Sequence, residues 1–244
     1  MPTAIISIYT SDGFVLAADG FDTDPDSGEI LRTSVQKIFH VRDRTRELAF
    51  LFTGTDRICP KGSKEVIYDF IEAAKSASIA LSDVHFEKSC DYANALLSRI
   101  YPLPEAARAA LATHAKVPKT TIFIEGYYDG QARRDVLIIA HDDGKTDLMS
   151  GWATAGSVTG AFPDIRSIVA GSSEITLGTY RYKMSGIQTT VEAISAAWTL
   201  MYALCDAEAR TVHPDAKTVG GWIHMAMITP QNGFQWIKEP RTGN

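Results

Sequence analysis

Surplus positive charge, paired cysteines and long apolar runs are all scarce in this chain. Lys and Arg number 24 against 29 Asp and Glu in 244 residues, a net charge of −5 without a basic stripe, so no nucleic-acid partner is expected. Cysteine occurs three times, at Cys59, Cys90 and Cys205. An odd number of isolated thiols argues against a disulfide framework and fits a reducing, cytoplasmic setting. None stands at metal-ligand spacing with a histidine, so neither zinc nor any other cofactor is expected. No apolar run is long enough to cross a bilayer, so no membrane partner is expected. The opening residues hold Asp12 and no basic stretch, which speaks against a secretory leader. Repeats and low-complexity linkers are missing too. With 45% hydrophobic residues, the reading is one domain over 1–244 with a sizeable core.

What is present starts at the N-terminus. Thr3-Ala4-Ile5-Ile6-Ser7-Ile8 and Gly13-Phe14-Val15-Leu16-Ala17-Ala18-Asp19 alternate about Ser11-Asp12-Gly13, which predicts a hairpin opening on a threonine and closing on an acid. Gln36-Lys37-Ile38-Phe39 opens a third strand. Leu48–Gly54 makes a fourth, stopping at a glycine. Taken singly, Asp19 is an ordinary strand-end residue and Lys37 an ordinary exposed lysine.

Together and in this order, Thr3, Asp12-Gly13, Ala17-Ala18-Asp19, Lys37-Ile38 and Phe50-Leu51-Phe52-Thr53-Gly54 resemble the proteasome β-type subunits and their bacterial relatives, which are N-terminal nucleophile hydrolases. The resemblance covers about the first quarter of the chain. It implies Thr3 as nucleophile, Lys37 as the cation beside it, Asp19 as the residue orienting that lysine, and Gly54 as the oxyanion-binding glycine. Ala170-Gly171-Ser172-Ser173 resembles the family's G-S-G-S turn and makes Ser172 the group that helps position the nucleophile's amine. Asp215-Ala216-Lys217-Thr218-Val219-Gly220-Gly221 resembles its D-x-x-S-G-G, which brings in Asp215. Here the chain departs from the pattern: Val219 stands where the serine belongs, and Asp215 sits one position too far away.

The implied activity is threonine peptidase, acting on peptides or unfolded proteins in a homo-oligomeric ring or stack, with an unfoldase as a further partner. A free α-amine has a pKa near ~7.7–8.0, so the amine of a first-position threonine can take its own hydroxyl proton. An amide nitrogen cannot, because its lone pair is delocalised into the carbonyl. Met1 and Pro2 must therefore be removed first. Two alternatives follow from that requirement. One is a non-catalytic assembly subunit of the same class. The other uses Pro2, since Met-Pro before an apolar strand is how the tautomerase superfamily begins.

Further along, the spacing predicts a helix over Lys64–Ala74 capped by Ser63, a second from about Asp91 to Ile100, and its resumption at Glu105–Leu111 after Pro102 and Pro104. Strands follow at Thr120–Tyr128 and Val136–Ala140 across Asp129-Gly130, with another at Ser167–Ala170. A long helix from Gln188 to about Arg210 carries a core stripe of Val191, Ile194, Ala197, Trp198, Met201 and Leu204. A hairpin of Trp222–Ile228 and Gly233–Ile237 closes the chain. Strands, two helices, strands, helix, strands is the order an α+β, four-layer αββα sandwich requires. Asp22-Thr23-Asp24-Pro25-Asp26-Ser27-Gly28 alternates acids but fails as an EF-hand, since Thr33 falls at the twelfth place, so it reads as a solvated loop.

Overall fold

The computed structural model describes residues 4–24, 26–115, 119–141, 144–162, 166, 173 and 186–241. In chain order the strands begin with β1 (Ile5–Thr10), β2 (Gly13–Ala18), β3 (Asp22–Thr23), β4 (Ile30–Arg32), β5 (Ile38–Arg42), β6 (Arg46–Gly54), β7 (Arg57–Ile58) and β8 (Tyr68–Asp69). Helices α1 (Phe70–Ala80), α2 (Ser89–Ile100) and α3 (Glu105–Leu111) follow. Then come β9 (Thr120–Tyr128), β10 (Gln131–Ile139), β11 (Thr146–Trp152), β12 (Val158–Ala161), α4 (Thr190–Cys205), α5 (Ala209–Val212), β13 (His224–Thr229) and β14 (Gly233–Lys238). These form two compact units, one drawn from 1–24, 28–39 and 153–244, the other from 25–27 and 40–152.

In the first unit, a five-stranded antiparallel sheet runs β12-β1-β2-β13-β14. The β1–β2 register ends at Thr10↔Gly13, so Ser11-Asp12 is a two-residue turn, as the alternation predicts. Position 13 requires glycine, because a Cβ there would lie 2.4 Å from the Ile228 carbonyl oxygen. Ile6, Ile8, Val15 and Ala17 form one core with Ala197, Leu200, Met201 and Leu204 of α4. Thr189 caps α4 by accepting from Glu192 N–H, and Glu192 accepts in return from Thr189 N–H, a reciprocal capping box.

The buried seam of α4 is rich in alanine: Ala193, Ala196, Ala197 and Ala203 alternate with the larger side chains. This rotates the core stripe away from the face expected from bulky residues. Val191 is 75% exposed, and Ile194 and Trp198 pack on the flank. The helix also stops at Cys205, well short of Arg210, because Asp206 turns extended before the short α5 begins.

The second unit holds the sheet β11-β10-β9-β6-β5, with α2 against β10 and β11 and α1 against α2. Its helix α1 starts at Phe70, six residues later than the sequence suggests. Ser63 accepts from Glu65 N–H at 3.1 Å and closes a local turn instead. Asp69 is the cap, accepting from Ile71 and Glu72 N–H groups at 2.9 and 3.1 Å. The break between α2 and α3 falls where Pro102 and Pro104 require it. Strands β11 and β12 escape the sequence pattern. Both lie at sheet edges, β11 with most of its residues exposed and β12 with Gly160 against the backbone of β1. The expected strand at Ser167–Ala170 lies outside the described residues. No described helix is long and apolar enough to cross a membrane.

Candidate functional site

The first unit brings three remote pieces of chain onto one carboxylate. Asp19 follows β2 directly and is fully buried. Its Oδ1 accepts from Lys37 Nζ at 2.6 Å and from the Ala4 backbone N–H at 3.1 Å. Its Oδ2 accepts from the N–H groups of Gly220 and Phe21 at 3.0 and 3.3 Å. Four donors thus converge on two oxygens, which is what a carboxylate taken out of water requires. Burial pushes the Asp19 carboxyl above its ordinary pKa, opposed first by the charge of Lys37, then by its hydrogen bond, then by those of Gly220 and Ala4.

Lys37 is only 5% exposed, so the solvent-facing reading of that lysine does not hold. It stands one residue ahead of β5, which begins at Ile38 rather than at Gln36. Its ammonium points inward to Asp19, whose carboxylate also holds the N–H of Ala4, the residue that follows Thr3 in the chain. An ammonium desolvated in this way exerts its charge through a low effective dielectric. Met1, Pro2, Thr3 and Ser172 lie outside the described residues.

Gly54 closes β6 in the second unit, paired with Thr120 of β9. Its φ is +85°, and a Cβ would fall 1.7 Å from the Lys119 carbonyl oxygen, so no side chain fits. Thr120 Oγ1 donates to the Thr55 carbonyl at 2.5 Å and lies 2.8 Å from His141 Nε2, tying together the strand ends beside Gly54.

Asp215 belongs to a 3-10 segment, Pro214–Thr218, and nothing is described of its side chain. Thr218 ends that segment. Val219 is fully buried in the core shared with α4, a hydrocarbon packed where the resembling motif has a hydroxyl. The two glycines after it have a structural task. A Cβ on Gly220 would strike the Phe21 ring at 2.6 Å and one on Gly221 the Thr33 carbonyl at 2.3 Å, so the backbone passes close enough for Gly220 N–H to reach Asp19.

Two participants carry no sequence signal of their own role. Gly220 acts through its backbone alone, and the only hint is the glycine pair. His224, at the first position of β13, is fully buried and accepts the Lys37 backbone N–H on Nε2 at 3.0 Å, across 187 residues of chain. Burial holds its pKa down to about 4, with the charges of Lys37 and Lys238 acting in the same direction and the Trp222 carbonyl opposing. In the acidic loop Asp22 pairs with Arg32 Nε at 2.8 Å, and Asp26 pairs with Lys61 and shares a hydrogen bond with His114 Nδ1. Among the described residues, no three His, Cys, Asp or Glu side chains gather as a metal site.

Antiparallel sheets carrying helices make up the fold, and its N-terminal strand is set against a buried Asp–Lys pair. The chain is similar in structure to Anbu (ancestral beta-subunit) from Yersinia bercovieri, with a TM-score of 0.53 over 96% of this chain and 87% of that one. At 10% identity the likeness is one of fold. No protein-family description and no curated protein matches the sequence.

Proposed function

We propose that this chain is the subunit of a proteasome-like homo-oligomer and hydrolyses peptide bonds through Thr3 after Met1 and Pro2 are removed. The observation that carries the reading is the buried Asp19–Lys37 pair bonded to the Ala4 amide, next in sequence to the nucleophile. The freed Thr3 amine takes the Thr3 hydroxyl proton while the oxygen attacks the scissile carbonyl. Lys37 stabilises the negative charge developing at that oxygen, and Asp19 keeps the ammonium charged and aimed. The resemblance assigns the oxyanion to the Gly54 N–H, and loss of one such donor typically costs about 2.7–4 kcal/mol. Collapse of the tetrahedral intermediate breaks the scissile C–N bond, and the departing substrate amine takes the proton from the Thr3 ammonium. Water then hydrolyses the Thr3 ester. In this proposal Ser172 helps position the Thr3 amine, and Asp215 is the acid carried over from the third motif.

The proposal extends to one domain with the four-layer αββα arrangement, a cytoplasmic setting, peptide or unfolded protein as substrate, and an unfoldase as a further partner. Expressed with Thr3 as first residue, the chain hydrolyses short peptides; Thr3→Ala abolishes this and Thr3→Ser keeps part of it. A second reading, a non-catalytic assembly subunit, is favoured by one observation: Val219 fills the core where the resembling motif places a serine. A folded, assembled chain that begins at Thr3 and is inert selects that reading.

A further inference from the structure

We propose that His224 is a positioning residue for Lys37: its Nε2 takes the Lys37 backbone N–H and fixes the point from which the ammonium reaches Asp19. The inference rests on the reading of Lys37 as the cation of the site. Because Lys37 precedes β5, its N–H is satisfied by a side chain instead of by the strand ladder. An Nε2 that accepts cannot donate, so the ring proton is on Nδ1, which faces the Trp222 carbonyl at 3.5 Å. Lys37 is therefore held at both ends, its backbone by His224 and its Nζ by Asp19.

Both anchors come from one short stretch. Gly220 N–H grips Asp19, and His224, four residues on, grips Lys37. The segment 220–224 thereby sets the separation of the two charged partners. The charged groups that act on the ring are Lys37 and Lys238, and the Trp236 indole packs against it with ring centroids 6.2 Å apart. Two cations and burial keep the imidazole neutral at physiological pH, the only state in which Nε2 accepts. Protonation converts that nitrogen to a donor facing another donor, and the restraint is lost.

The test compares His224→Leu, which fills the space without an acceptor, with His224→Gln, whose amide oxygen restores one. Hydrogen exchange and NMR on the full chain read the Lys37 amide directly, and steady-state kinetics read chains beginning at Thr3. With His224→Leu, the Lys37 amide is expected to exchange at least tenfold faster, and kcat to fall roughly ten- to hundred-fold with KM little changed. His224→Gln is expected to keep the amide protected and kcat within a few-fold of the parent. Equal protection of the Lys37 amide in all three proteins overturns the inference, as does a His224→Gln chain as impaired as His224→Leu in both measurements. If His224→Leu does not fold, titration decides. The Lys37 amide shift then moves with a midpoint of about 4 in the parent and stays flat in His224→Gln; a flat parent titration overturns the inference. A parent chain that begins at Thr3 and cleaves nothing refutes the peptidase reading, while the exchange experiment still decides the role of His224.

Discussion

Acid should destabilise this protein through His224 in a window fixed by two pKa values. The folded imidazole titrates at about 4 against 6.5 for an unburied ring. Between those values the unfolded chain binds a proton that the native state refuses, so stability falls as the pH drops from 6.5 toward 4 and is fully present above 6.5. At pH 5 the linkage relation gives a loss of about 2 kcal/mol from this one residue, approaching about 3 kcal/mol below pH 4. Asp19 acts in the opposite sense, since burial raises its carboxyl and acid protonates the native state more readily. Urea denaturation at pH 7.5 and pH 5.0 measures the sum over all groups. His224→Gln removes the His224 contribution while leaving an acceptor for the Lys37 N–H. The difference in unfolding free energy between the two pH values should be about 2 kcal/mol smaller in the variant. Equal differences in the two proteins would refute the reasoning.

Lys37→Met leaves Asp19 as a buried carboxylate with backbone donors alone, so it should lower stability at pH 7 by about 3–5 kcal/mol as well as abolish peptide hydrolysis; a denaturation midpoint equal to the parent's contradicts the buried pair. Arg46 is the largest fully buried side chain among the described residues, bonded to Asp43 and to the Leu81 and Ser82 carbonyls at the end of α1, with its guanidinium 4.5 Å from the centre of the Tyr92 ring. Arg46→Met should therefore cost about 3–5 kcal/mol, read as a drop in thermal midpoint. Gly54→Ala meets both a positive φ and the Lys119 carbonyl, so backbone strain of about 1–3 kcal/mol adds to the overlap; an unchanged midpoint refutes that geometry.

Local pattern made the hairpins legible. The alternation Ile6/Ile8 with Val15/Ala17 around a two-residue turn places β1 and β2; β13 starts at His224 rather than Trp222, and β10 starts at Gln131, five residues before the expected Val136, because its first half is polar. Elements whose reason lies in their partners were not legible. Strand β12 contains Gly160 and exists because β1 pairs with it, and β11 is an exposed edge that β10 supports. The start of α1 went wrong because Ser63 and Asp69 are both competent caps, and only the pairing of Tyr68–Asp69 with Arg57–Ile58 selects the second. The face of α4 went wrong because bulk was weighed above spacing, whereas alanines form the seam. For the site, Asp19 and Lys37 could be named from their order along the chain. His224 could not, since a single histidine 187 residues from its partner leaves no periodic or motif trace.

The central claim is that hydrolysis belongs to chains whose first residue is Thr3. Intact mass spectrometry on a preparation that cleaves short peptides tests it most directly, read beside the activity of the same sample. The account predicts a species lacking Met1 and Pro2, in an amount that rises and falls with the hydrolysis rate. Turnover by a preparation in which every chain retains Met1 or Pro2 would contradict it, because no threonine amine would then be free to act as base.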